Sequence, residues 1–229
     1  MIKNKDIVIV GLQPWDIKIG SNCKNIAMEF SKFNRVLYVN PPIDQKTLFS
    51  KRKDPGLIKR LEFKKRNEHL FSIAPNLWTL YPGSVIRSIN WLPFTGLFRI
   101  FNRWNNEIFS KDINKAIRDL SFRDFILFND SDMFRSYHLN EMLKPIISIY
   151  YSRDNLMAYK YWSRHGHSME PALIKKSNLV VANSEYLANY AKQYNINSFN
   201  VGQGCDLSVF DPDKKRSIPD DIRVIKRPV

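Results

Sequence analysis

Two short segments place polar and charged residues directly after runs that read as buried strands. The first is Gly11-Leu-Gln-Pro-Trp-Asp-Ile-Lys-Ile-Gly20, which follows Asp6-Ile-Val-Ile-Val10 and leads to Ser21 at a predicted helix start. Backbone amides at such a start form a site for an oxyanion or hydroxyl, and Gly20 would let a ligand approach the main chain. The spacing is neither the dinucleotide fingerprint nor a Walker A loop, which disfavours a dinucleotide or ATP. A structural loop around a buried Trp15 is the competing reading. The second segment is Ser152-Arg153-Asp154-Asn155, after an apolar run over 146–151. Asp154 can accept a proton or a hydroxyl hydrogen bond, and Arg153 can hold it or bind phosphate. An ordinary strand-end ion pair competes with that role. His165-Gly-His167 lacks a third ligand at sensible spacing, so it reads as loop and no metal site is expected.

These segments matter only if the elements around them bring them together. Short continuous apolar runs, as buried parallel strands show, occur at 6–10, 35–39, 125–128, 146–151 and 179–182. Ser21 is placed to cap a helix whose apolar face takes Ile26, Ala27, Phe30 and Phe33. Strand, helix and strand then close at Asn40-Pro41-Pro42 as a βαβ unit. Two short strands at 70–74 and 77–80 flank Pro75-Asn76. A long helix is expected over 97–120, with Phe98, Phe101, Ile108, Ile113, Ile117 and Leu120 recurring near helical period. A further helix over 185–194 precedes a strand at 198–201. This alternation predicts an α/β chain with a Rossmann-like, doubly wound parallel sheet, whose ligands gather outside the carboxyl ends of the strands.

Composition narrows the partners. The 229 residues are 44% hydrophobic and 25% charged, which excludes a disordered chain. The formal net charge of +14 attracts polyanions: nucleic acid, anionic lipid or phosphorylated substrates. Nucleic acid is the weaker choice, because no aromatic RNP pattern, zinc knuckle or helix-turn-helix signature occurs. Two cysteines cannot frame a disulfide scaffold. No run approaches the roughly 20 apolar residues of a membrane span. The chain is therefore expected to be cytoplasmic, with peripheral attachment to the inner face of the cytoplasmic membrane as an option. Between residues 51 and 66 eight Lys or Arg stand against two acids, and 84–104 carries Arg87, Arg99 and Arg103 with no acid. Basic groups beside aromatic rings suit the headgroup boundary of an anionic bilayer. The expected membrane-facing residues are Lys59, Arg60, Lys64, Lys65, Arg66, Trp91, Phe94 and Trp104, since Phe98 and Phe101 belong to the core face of the long helix.

The last third carries the most specific pattern. Ser177-Asn178 leads through an apolar strand to Asn183-Ser184-Glu185, and Gly202-Gln-Gly-Cys-Asp206 comes next, with Phe210 and Pro212. This order resembles the end of the N-terminal domain in GT-B glycosyltransferases of the family 4 type, and among them the sugar transferases of surface-polysaccharide and teichuronic-acid assembly. The opening strand and its loop, the Asn40-Pro41-Pro42 turn and the 151–155 segment fit more weakly; residues 43–120 carry no matching motif.

The resemblance implies an acceptor-side domain over 1–212, with 213–229 as linker and start of a donor-binding domain. It implies no cofactor in this piece, a nucleotide-sugar held by the other domain, and no hexosyl transfer by this piece alone. The acceptor, a glycan or lipid-linked molecule, would lie against Gly11, Gln13, Trp15, Asp16, Gly20, Ser21, Asn155, Ser184 and Glu185. Asp154 and Arg153 would take the catalytic place, and Gly202, Gly204 and Asp206 would border the interdomain cleft. Many relatives carry a histidine where this chain has Arg153 and Asp154, so that role does not transfer. A basic α/β module for nucleic acid or another polyanion, and a catalytically dead assembly partner, are the alternatives.

Overall fold

The computed structural model describes residues 2–17, 20–50 and 53–204. Asp6–Gly11 (β1), Arg35–Val39 (β2), Leu70–Ala74 (β4), Leu77–Leu80 (β5), Ile126–Asp130 (β7), Ile147–Ser152 (β8), Leu179–Ala182 (β9) and Ser198–Asn200 (β10) form one sheet. Its order is β10-β9-β8-β7-β1-β2-β5-β4, parallel throughout except for the antiparallel β4–β5 pair. Ile43–Asp44 (β3) and Val85–Ile86 (β6) make a separate two-stranded ladder. The helices are Asn22–Ser31 (α1), Gln45–Ser50 (α2), Pro55–Lys65 (α3), Thr95–Asp119 (α4), Leu139–Leu143 (α5), Lys160–Lys176 (α6) and Glu185–Lys192 (α7), with a 3-10 turn at Leu156–Ala158.

Both faces of the sheet are covered, which is why its strands are apolar at consecutive positions. Ile7, Ile9, Val36, Tyr38, Ile126 and Phe128 pack with Cys23 and Ala27 of α1. Val8, Val10, Leu37, Val39 and Leu127 face Phe109, Ile113 and Ile117 of α4 on the other side. Beyond them Tyr150 and Val180 meet Met169, Leu173 and Ile174 of α6.

The expected strands and the long helix, as α4, are present, and the doubly wound, mainly parallel arrangement holds. Several details differ. The core face of α4 includes buried Asn102, Asn105 and Asn106 beside Phe98 and Phe109, while Phe101 and Ile108 are half-buried. The asparagine amides are engaged: Asn102 and Asn106 donate to the Phe134 carbonyl at 2.9 and 3.0 Å, so these polar residues stand where periodicity asks for apolar ones. Phe33 falls beyond α1 and is exposed under the Lys3 ammonium. His165-Gly166-His167 is helical, not loop; it lies in α6, which runs through Pro171. In the stretch without motifs α3 forms, with Asp54 accepting from the Leu57 amide at 2.9 Å and Pro55 at the first helical position.

Candidate functional site

The chain goes from β1 to β2 in one direction across the sheet, whereas β7 lies on the other side of β1. The sheet therefore reverses its winding between β1 and β7, and doubly wound sheets hold their ligands outside the carboxyl ends of the strands at such a point. Gly11 is in register with Asp130, and Asp130 with Tyr151, so the ends of β1, β7 and β8 lie side by side.

The loop after β1 is held by β2 and, through Asn40, by β5. The Trp15 amide donates to the Asn40 side-chain oxygen at 2.6 Å, and the Asn40 amide group donates to Thr79 Oγ1 and the Leu80 carbonyl, both at 2.8 Å. Tyr38 donates its hydroxyl to the Gln13 carbonyl at 2.7 Å and meets the Trp15 ring edge-on, with centroids 5.1 Å apart. Gly11 has no room for a side chain, because a Cβ there would run into the Tyr38 phenol. Trp15 is thus largely a structural wedge, over which the Lys24 ammonium lies at 5.3 Å. Gly20 borders open space, and Ser21 occupies the N-cap of α1 without making a side-chain cap. Ser21 Oγ and Gln13 Oε1 are buried with no hydrogen-bond partner among the described residues. Such atoms are rare in folded proteins.

Arg153 does not pair mainly with Asp154. Its Nε lies 2.9 Å from Oδ1 of Asp130, whose side chain is fully buried, while Asp154 is exposed and 3.7 Å from Nη1. Burial pushes the Asp130 carboxyl above the usual carboxylate range; Arg153, Cys23 and the Leu12 amide pull it the other way. Burial works against the Arg153 charge, but Asp130 and Asp154 outweigh it and hold the guanidinium protonated. The backbone of Arg153 is also fixed: its amide donates to Ser131 Oγ at 3.3 Å, and its carbonyl accepts from Asn183 at 2.9 Å. Asn183 donates as well to the Gln203 side chain, which ties the Gly202–Gly204 stretch to the end of β8.

The apolar pattern of β7 marks Asn129-Asp130 as a strand end but gives no sign of the polar turn over residues 131–135. Ser131, at φ 56°, donates its hydroxyl to the Tyr151 carbonyl at 2.8 Å. Buried Asp132 takes Arg135 Nε at 2.7 Å and the Arg135 amide at 2.9 Å. Four polar residues directly after an apolar strand were the available signal. Arg60 is the other departure: instead of facing a membrane, its side chain is 15% exposed, donates to the Pro41 carbonyl at 3.2 Å and lies 3.8 Å from Asp16. Lys59, Lys64, Lys65 and Arg66 are exposed. Asn155 and Glu185 are exposed, and Ser184 caps α7 by accepting from the Leu187 amide at 3.4 Å. Asp206 lies outside the described residues. Among the described residues no group of three or more His, Cys, Asp or Glu could hold a metal ion, and His165 is instead stacked on Phe98.

The switch point between β1 and β7 and an eight-stranded sheet that is parallel but for the β4–β5 pair together define a Rossmann-like α/β unit of the kind that makes one half of a GT-B fold. The comparison that bears this out is sucrose-phosphate synthase from Thermosynechococcus elongatus, with a TM-score of 0.54 over 90% of this chain and 50% of that one, at 10% identity. UGT89C1 from Arabidopsis thaliana, complexed with UDP-L-rhamnose, is also similar over 96% of this chain and 56% of that one, at 14% identity and a TM-score of 0.44. The chain thus spans about half the length of each of these enzymes. At such identities the likeness is one of fold. No protein-family profile matches the sequence, and no curated protein does.

Proposed function

We propose that this chain is the acceptor-side half of a glycosyltransferase that passes a sugar from a nucleotide-sugar to a glycan or lipid-linked acceptor in cell-surface polysaccharide synthesis, working against the cytoplasmic membrane. The observation that carries the reading is the convergence, at the carboxyl ends of β1, β7 and β8, of the α1 N-terminus, two unsatisfied buried polar atoms and the Arg153–Asp130 pair. Gln13 and Ser21 would take acceptor hydroxyls. Arg153 would hold an acceptor phosphate, or steady the phosphate that departs with the nucleotide, and Asp154, exposed beside it, would receive the proton of the attacking hydroxyl. The reading assigns the donor to a second domain, so this chain by itself binds acceptor without transferring sugar. The family 4 resemblance, with its polysaccharide and teichuronic-acid relatives, supports this choice of substrates.

The test is calorimetry on the full-length gene product and on this chain, using a panel of nucleotides and nucleotide-sugars. Binding of a UDP- or GDP-type ligand by the full-length protein but not by the chain is the expected outcome, with Arg153→Met in the full-length protein lowering transfer about a hundredfold. Tight nucleotide-sugar binding by the chain alone would overturn the division of labour. Retained RNA with no sugar-nucleotide binding by either would point to the basic-module alternative.

A further inference from the structure

The start of α4 carries an outward apolar row that the core does not use. Trp91 is 70% exposed and Phe94 72%, and Leu97, Ile100 and Trp104 continue the row along the helix at 40, 55 and 45%. On the same helix Phe98, Asn102, Asn105 and Phe109 point inward, so the two faces oppose each other as helical period demands. Soluble surfaces scatter such residues singly, and five large ones within one short stretch mark an interaction site. The platform beneath them is rigid. Arg164 of α6 donates to the Trp91 carbonyl at 2.9 Å, and Asn90 donates to the Tyr161 carbonyl at 2.8 Å. Thr95 and His165 meet at 3.1 Å, with the His165 ring stacked on Phe98 at 4.1 Å.

The chemistry around the row selects what it meets. Residues 84–106 contain no acid. The Arg87 guanidinium lies 5.2 Å over the Trp104 ring, and Arg99 reaches the Ser168 carbonyl of α6 at 3.4 Å. A second copy of this chain would set one cationic rim against another in a molecule of net charge +14, which opposes self-association. A negatively charged headgroup layer meets both demands, accepting Trp and Phe at its acyl boundary and arginine among its phosphates.

We infer that the α4 row, with Trp91 and Phe94 as its leading edge, seats this protein on an anionic lipid bilayer. The inference deepens the lipid-linked version of the proposed function by naming the contact, and it moves that contact away from Arg60, which is held against Asp16 and the Pro41 carbonyl. The seat uses the N-terminal half of α4 lying in the headgroup plane; no helix among the described residues is long and apolar enough to cross a membrane.

The experiment is co-sedimentation of the purified chain with vesicles of phosphatidylcholine alone and of phosphatidylcholine with about 30% phosphatidylglycerol, at about 0.1 M salt. Binding to the anionic vesicles alone is expected. Trp91→Ala combined with Phe94→Ala should weaken it about tenfold or more. Ile100→Glu, on the exposed side of the helix, should do likewise while the thermal transition stays in place. Equal binding to both vesicle types, unaltered binding by both variants, or a dimer in sedimentation equilibrium that Ile100→Glu dissociates would each overturn the seat. No donor or acceptor is present, so the seat can fail while the full-length protein still transfers sugar, and it can hold if transfer is never found.

Discussion

At the scale of single residues, the strand ends depend on contacts too close to tolerate substitution. Gly11 ends β1 where the Tyr38 phenol fills the space of a side chain, with Cζ 2.8 Å from an added Cβ. Its φ lies outside the left-handed region, so the requirement is one of room and not of backbone freedom. Gly11→Ala should therefore destabilise the fold by about 1–3 kcal/mol, as overpacking does. Tyr38→Phe removes the hydroxyl but also its bond to the Gln13 carbonyl. In the Gly11→Ala background that second change should recover part of the loss, giving a coupling of about 0.5 kcal/mol or more in urea denaturation. Strict additivity would mean that the loop shifts and Tyr38 is not the obstacle.

At the scale of elements, α6 is anchored to β8 and α7 through a carboxyl group away from those strand ends. Glu170, buried in α6, accepts from the Tyr150 hydroxyl at 2.8 Å. Burial lifts its pKa above the ordinary value, although the Tyr150 and Tyr190 hydroxyls oppose the lift. A carboxyl whose folded-state pKa is raised contributes stability that is present below its unfolded pKa and is lost as pH rises through the folded value. Glu170→Gln should therefore match the wild type at pH below about 4 and exceed it increasingly toward neutrality. Thermal melts across that range decide it, and a constant difference between the two proteins would rule the linkage out. Elements were legible where periodicity or caps were strong. The apolar runs of β1, β2, β7, β8 and β9 could be read because both faces of each strand are buried. The long α4 could be read from Phe98, Ile113 and Ile117. The region around α3 was not legible, although Asp54-Pro55 is a start signal, because Leu57 is the buried residue of a helix otherwise dense in charge and no apolar stripe marks it. The site was half legible: Arg153 stands out after its strand, but its partner Asp130 is set by cross-strand register, which no local pattern encodes. The first part of α6 was obscured by His165-Gly166-His167, where a glycine between polar residues reads as loop.

At the scale of the whole molecule, β1 lies at the centre of the sheet and joins halves of the chain that are far apart in sequence. It pairs with β2 on one side and, on the other, with β7, which is distant along the chain. Cys23 sits in the cluster where these strands meet α1, fully buried among Ile7, Ile9, Tyr38 and Phe128. Burial pushes its thiol well above the ordinary range, so the native state presents almost no thiolate. If the two halves of the sheet unfold together, Cys23 becomes reactive only when the entire domain opens. With Cys205→Ser leaving Cys23 as the sole thiol of the two in the sequence, its labelling by a disulfide reagent should report an opening free energy within about 1 kcal/mol of the global value from urea. Labelling that reports a much smaller free energy would mean that α1 lifts from the sheet by itself. The strand ends would then border an element able to move independently of β7 and β8, and the α1 N-terminus could not be a fixed part of the proposed acceptor site.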